Sequence, residues 1–293
     1  MQVIIHAGVH CTDDDSLLRT LRRNVDVLRQ NSVMVPGPGK YRRALSEILV
    51  SLSGAPASSG SRDVMVDQIL DGDDSHTNRL ILSHPNLFSV PKALFGGGRY
   101  YRHAEKRMRN ICELFAGDDV ELFLGLRDPA TFLPSVFDST PYHAFADFMN
   151  GVDPMHLRWS HLLRRLSDEV PQVKLTVWCN EDTPLIWSEV LCRISGLPID
   201  TALTGEHDIF ASIMAPEGMK RFQDTLKERP EMTLSQRRRI MVAFLDKYAL
   251  PDQIEQELDI PGWTDDHVQR LNDIYDDDMD IIAAMPDVTF IEP

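Results

Sequence analysis

Met1-Gln2-Val3-Ile4-Ile5-His6-Ala7-Gly8-Val9-His10-Cys11-Thr12-Asp13-Asp14-Asp15-Ser16-Leu17-Leu18 opens the chain, and its reading decides the fold. Val3 to Ile5 is a short apolar run with β-branched residues, the signature of a buried strand. Gly8 breaks it. From Ser16 the apolar positions are Leu17, Leu18, Leu21, Val25 and Leu28. That spacing predicts one helix with a single buried face, running to about residue 30. Strand, tight loop and helix in this order form the place where α/β proteins hold phosphates, because a helix start offers free N–H groups. The loop nevertheless carries three consecutive aspartates and no lysine.

Working outward, strands and helices alternate. Residues 41–52 read as a helix, 79–83 as a strand ended by His84-Pro85, and 101–115 as a helix. Residues 120–126 give the clearest strand, closed by Arg127-Asp128-Pro129, and Pro129 suits the first turn of the next helix. A helix at 155–170, a strand at 173–178 and a helix at 185–195 stopped by Gly196 complete the series. Residues 33–40, with two prolines and two glycines, read as a turn-rich connection, 53–61 as a loop and 63–70 as a helix. The alternation predicts an α/β fold, a P-loop NTPase-like three-layer sandwich with a central parallel sheet. Beyond residue 205 the pattern turns helical at 216–228, 233–248, 252–258 and 264–284, before a last apolar segment at 288–291. The expected division is an α/β core over 1–205 and a mostly helical C-terminal extension over 206–293 packed on that core.

The 293 residues are 43% apolar and carry a formal charge of −15, so a sizeable core is available and nonspecific nucleic-acid binding is disfavoured. The four cysteines, Cys11, Cys112, Cys179 and Cys192, form no C-x-x-C pair and no zinc spacing. The first residues do not read as a signal peptide, and no stretch approaches a membrane span. These features point to a soluble, cytoplasmic protein with free thiols and no membrane partner.

Three stretches together resemble the P-loop sulfotransferases, particularly bacterial members. His6-Ala7-Gly8-Val9-His10-Cys11-Thr12 through Leu17 is similar to the loop that cradles the 5′-phosphosulfate of 3′-phosphoadenosine 5′-phosphosulfate (PAPS). Leu126-Arg127-Asp128-Pro129, with Ser135 eight residues after Arg127, resembles the strand-end arginine and serine that bind the donor's 3′-phosphate. Val177-Trp178-Cys179-Asn180-Glu181-Asp182, then Gly196-Leu197-Pro198, resembles the family's strand, Glu-Asp pair, helix and Gly-Leu-Pro. The resemblance implies Gly8, Thr12, Ser16, Arg127 and Ser135 as residues binding PAPS or adenosine 3′,5′-bisphosphate. It also implies a small-molecule or glycan hydroxyl acceptor, and a histidine base, with His84 the first candidate and His10 the second.

The sequence departs from the family where charge matters most. Cys11 stands at the lysine position, and Asp13, Asp14 and Asp15 replace a glycine and two hydroxyl residues. The lysine supplies a fixed positive charge on bridging oxygens. At close range each like-charge contact would cost on the order of 1–4 kcal/mol. The aspartates read either as first-turn acids that satisfy the helix dipole or as a cation site, for Mg²⁺ or Ca²⁺ held by oxygen ligands or for an amine or basic partner. Lys40, Arg42 and Arg43, and also Arg99, Arg102, Lys106 and Arg107, are candidate substitutes for the missing cation, while a helix start would activate the Cys11 thiol and the neighbouring aspartates oppose that, which disfavours a catalytic thiol. Three readings of function remain open: a sulfotransferase with a diverged donor loop, a noncatalytic nucleotide-, glycan- or protein-binding module, and a metal-assisted nucleotide or phosphoester hydrolase using Asp13 to Asp15.

Overall fold

The β1 strand, Gln2–His6, lies in the middle of a six-stranded sheet in the computed structural model, which describes residues 1–52, 60–70, 76–254 and 260–293. Its side chains alternate between the two faces, as a strand's period of two requires. Val3 and Ile5 join one core layer and Ile4 the other. After the loop come helices α1 (Ser16–Arg23) and α2 (Val25–Gln30). The periodicity predicted one helix here. Asn24 divides it, because its side-chain amide donates to Thr20 O and Thr204 O and accepts from Thr204 N. A contact 180 residues away thus interrupts a pattern that is locally continuous.

Strand β2 (Val33–Met34) sits in what the sequence presented as a turn-rich connection. It is followed by α3 (Arg42–Ser51), α4 (Ser61–Leu70), β3 (Arg79–Ser83), α5 (Ala104–Leu114), β4 (Asp119–Leu126) and α6 (Pro129–Asp138). Then come α7 (Phe145–Met149), α8 (Trp159–Glu169), β5 (Lys174–Cys179) and α9 (Thr183–Ser195). The loop expected at 53–61 and the helix expected at 252–258 fall partly outside the described residues.

All strand pairs are parallel and the order is β2-β3-β1-β4-β5-β6. Helices α1, α2 and α9 cover one face, packing Leu17, Leu21, Leu28, Trp187 and Val190 on Ile4, Ile81, Phe123 and Trp178. The opposite face carries α3, α4, α5, α6 and α8 in a larger layer that includes Leu45, Met108, Phe132 and Leu166. The fold is therefore the expected α/β arrangement of helices on both faces of a parallel sheet.

The stretch after residue 205 divides between two locations. Helices α10 (Asp208–Ser212), α11 (Pro216–Glu228) and α12 (Leu234–Tyr248) gather around Phe210, Met214, Phe222 and Met241 in a small cluster of their own. After α13 (Pro251–Ile254), helix α14 (Asp265–Ala283) returns to pack on α6 and α8, and β6 (Val288–Ile291) pairs with β5 as the edge strand.

Strand β1 is where the order reverses: the chain builds β2 and β3 on one side of it and β4 to β6 on the other. In open α/β sheets ligands enter at such a switch point, outside the carboxyl ends of the strands. The β1–α1 loop occupies that place. Among the described residues, no helix is long and apolar enough to cross a membrane.

Candidate functional site

The loop leaves β1 through Gly8, whose φ of +98° is in the range that favours glycine. It stays beside β4: Gly125 N donates to Gly8 O at 2.8 Å, and Val9 N donates to Gly125 O at 3.1 Å. A Cβ at Gly125 would meet the Trp178 indole at 3.2 Å, so the ring would have to give by a few tenths of an ångström. Thr12 Oγ1 then donates to Val9 O at 2.8 Å, and Cys11, Asp14 and Asp15 adopt left-handed backbone conformations. The backbone N–H groups of Cys11, Asp13, Asp14 and Asp15 take no acceptor among the described residues. Adjacent free N–H groups at a turn form an anion-binding concavity.

The three aspartates do not act as a unit. Asp13 Oδ2 accepts from Leu17 N at 3.0 Å, capping α1. Asp14 is exposed, and its carbonyl accepts from Arg19 Nη1 at 2.6 Å. Asp15 is held by Arg42 in a two-pronged pair, Nη1 to Oδ2 at 3.0 Å and Nη2 to Oδ1 at 2.5 Å. The Arg42 hydrogen bonds hold the Asp15 carboxyl below its ordinary value, against the opposing effect of burial. Asp15 immediately precedes the first turn of α1 and the Asp13 carboxylate bonds a first-turn N–H, so two carboxylates remain at the helix start, one of them paired with Arg42.

Arg42 is therefore not a spare cation for a ligand. Its Nε also donates to Ser83 O at 2.9 Å, which in turn accepts from Tyr41 Oη at 2.6 Å. Arg43 pairs with Glu47. Nothing in the sequence pattern paired Asp15 with Arg42, because ion pairing across two loops leaves no periodic trace.

Both candidate bases lie at this edge, and each has both ring nitrogens occupied. His10 Nε2 faces Asn86 Oδ1 at 3.1 Å and Ser89 O at 3.0 Å, both acceptors, so Nε2 carries the proton. Its Nδ1 accepts from Tyr101 Oη at 2.8 Å, and Tyr101 Oη accepts from His10 N. Burial lowers the His10 pKa. His84 Nδ1 accepts from Asn86 N at 3.2 Å, and its Nε2 donates to Ser46 Oγ at 2.8 Å, since that hydroxyl gives its own proton to Arg42 O. Burial, then the Arg42 charge, push His84 down to about 4. His6, which the sequence left unassigned, is buried against Trp178 and bonded to Ser83 Oγ at 3.0 Å.

Arg127 reaches the loop from the end of β4. Its Nη1 donates to Cys11 O at 2.5 Å and its Nε to Thr131 Oγ1 at 3.1 Å. Ser135 Oγ donates to Thr131 O at 2.9 Å, one turn earlier on α6, and Ser135 O accepts from the Cys11 thiol. Thus Arg127 and Ser135 both contact Cys11, through its carbonyl and its thiol. Ser16 lies at the start of α1, where its hydroxyl accepts from Arg19 Nη2. The Cys11 thiol is not activated: burial pushes its pKa up, with Arg127 opposing. All four cysteines are free.

A cleft of about 840 Å³ opens beside the loop, from Asp15 and Ser16 along α1 to Asp208 and Ser212. Arg19, Arg22 and Arg23 line it, and Arg23 is paired with Asp208. This volume suits a nucleotide-sized ligand. Among the described residues, no three His, Cys, Asp or Glu groups converge as a metal site.

Glu181 and Asp182, which stand just before α9 where acids commonly cap a helix, behave differently from each other. Glu181 Oε1 accepts from Asp128 N at 3.0 Å and Oε2 from Tyr275 Oη at 2.8 Å, so it ties β4 to α14 rather than capping α9. Asp182 occupies the cap position of α9 without a side-chain cap bond. Comparison of the chain with family models, curated proteins and solved structures gives no match.

Proposed function

We propose that this chain is a sulfotransferase-like protein that binds PAPS or adenosine 3′,5′-bisphosphate at the β1–α1 loop without transferring the sulfuryl group. The observation that carries the reading is the set of free N–H groups at Cys11, Asp13, Asp14 and Asp15, at the switch point of the sheet. Those donors suit the 5′-phosphate oxygens. The resemblance assigns Arg127 and Ser135 to the 3′-phosphate, and their contacts with the Cys11 carbonyl and thiol and with Thr131 keep them beside the loop; the cleft that begins at Asp15 and Ser16 adds volume and arginines along α1.

The same geometry argues against transfer. Cys11 offers no fixed positive charge for the bridging oxygen, and its thiol is held protonated. His10 and His84 have no free ring nitrogen to accept a proton from an acceptor hydroxyl. The metal-assisted hydrolase reading has less support, because Asp13 and Asp15 are already engaged with a helix N–H and an arginine.

Calorimetric titration of the full chain with adenosine 3′,5′-bisphosphate, with and without Mg²⁺, tests the proposal. The expected result is binding without Mg²⁺, weakened at least tenfold by Arg127→Ala, and no sulfate release or transfer from PAPS. Absence of binding in both conditions overturns it. Binding that needs Mg²⁺ and disappears in Asp13→Asn would instead favour the hydrolase reading.

A further inference from the structure

A second cavity, of about 360 Å³, lies where the turn at Arg99 and Tyr100 meets the start of α8. Its charged lining is entirely basic: Arg99, Arg158, Arg164 and Arg165, with His161 on the rim. No acidic residue lines it, in a chain of formal charge −15. An acidic protein thus concentrates four guanidinium groups around one concavity; Glu105 pairs with Arg165, and Asp153 faces the lining residue His156, both from outside the lining.

Two of the guanidinium groups are fixed in place by main-chain carbonyls. Arg158 Nη1 donates to Met155 O at 2.8 Å and Leu157 O at 2.7 Å, and Arg165 Nη2 donates to Tyr100 O at 2.8 Å. Fixing them in advance removes part of the ordering cost that a flexible arginine incurs on binding. Arg165 also has a buried Nε–H with no acceptor among the described residues. A buried donor left unmade is costly, and an oxyanion in the cavity would supply its acceptor. Burial lowers the Arg165 pKa, Glu105 pulls it back, and the nearby Arg99 charge lowers it again, which places Arg99 within electrostatic reach. Arginine's planar fork suits tetrahedral oxyanions, which it can hold through two parallel bonds.

We propose that this cavity is a binding site for a small polyanion bearing phosphate or sulfate groups, separate from the β1–α1 loop. The volume is at the small end of ligand pockets and admits a compact anion rather than a whole dinucleotide. The site does not depend on the nucleotide reading of the loop. The two are neighbours all the same: Tyr101, next to the cavity residue Tyr100, holds His10 of the loop.

The test titrates the full chain with inorganic pyrophosphate and, separately, with inorganic sulfate. Trp159 is the optical probe, because it stacks on Tyr100 at 4.2 Å. The expected result is saturable binding of at least one anion with a change in Trp159 emission. The double variant Arg99→Ala/Arg164→Ala should weaken it at least tenfold; both residues are exposed, so folding is not at stake. Arg127→Ala, at the loop, should leave this affinity within about twofold, which separates failure of one site from failure of the other. The tighter of the two anions identifies the ligand as phosphate- or sulfate-bearing. No saturable binding of either anion overturns the proposal. So does binding that survives in Arg99→Ala/Arg164→Ala and vanishes in Arg127→Ala.

Discussion

The carboxyl ends of β1 and β3 and those of β4 and β5 both gather acids, and they treat them in opposite ways. At β1, Asp15 has an arginine in a two-pronged grip, and its carboxyl stays ionised below its usual range. At β4 and β5, Asp128 and Glu181 sit near each other with Asp276 close by. Burial first, and then these like charges, push Asp128 up to about 6, while burial also raises Glu181. One end is an ion pair built to stay charged. The other is a hydrogen-bonded cluster that favours protons. The contrast shows that acid content alone did not decide the character of either end; the presence of Arg42 did.

The largest expected effect lies at the β4–β5 end, where α14 is fastened to α8. Asp278 is 2% exposed, and its Oδ2 accepts from Trp159 N at 2.6 Å and Ser160 N at 3.1 Å. Asp278→Ala leaves two N–H groups orphaned at the start of α8 and should destabilise the protein by about 3 kcal/mol, read by urea unfolding. A loss below about 1 kcal/mol would show that water replaces the carboxylate there.

Next comes Arg42→Ala, which strips Asp15 of its partner and Ser83 O of one donor. Both side chains are partly solvated, at 22% and 37%, so the expected cost is about 2 kcal/mol rather than the larger value of a buried pair. The same substitution frees a carboxylate beside the loop. It should therefore weaken adenosine 3′,5′-bisphosphate binding as well, and unchanged binding would show that Asp15 does not face the ligand.

The smallest effect separates the two ends by pH. Asp128 has a folded pKa of about 6, above the unfolded value near 3.9. Its contribution to stability is fully present below about pH 4 and is lost as the pH rises through about 6. Asp128→Asn should flatten that decline, by about 1 kcal/mol after allowance for partial exposure. Asp15 runs the other way: its contribution is present above the unfolded value and is lost as the pH falls through its depressed folded one. Asp15→Asn should alter only the acid limb of the unfolding profile. Matching profiles for the two variants would remove the contrast between the ends.

Much of the frame was legible because it obeys simple periods. Residues 3–5 and 120–126 announced buried strands, and Leu17, Leu21 and Leu28 a helix face, since apolar runs and helical spacing report burial directly. Strand β2 was hidden because two residues between a turn and a proline carry no period. The break at Asn24 was hidden because its cause is Thr204. The histidines' engagement with Tyr101, Asn86 and Ser46 could not be read, since hydrogen bonding across loops is set only by the folded chain. The α8 cavity did have a signal: His156, Arg158, His161, Arg164 and Arg165 fall within ten residues of an otherwise acidic chain. Arg99 was visible too, as a candidate cation for the loop; that it joins the α8 group instead is set by the folded chain.

The position of β6 in the sheet has a consequence for how the molecule is made. Until Val288–Ile291 arrives, the outer edge of β5 presents unpaired backbone groups along Leu175 to Trp178. Every residue between Cys179 and Val288 must be synthesised before that edge is closed. Closing such a long loop is slow, and an open strand edge invites pairing with other chains meanwhile. The last strand thus acts as a guard for the nascent sheet, and removing it should show first as aggregation during refolding rather than as a change at the ligand edge.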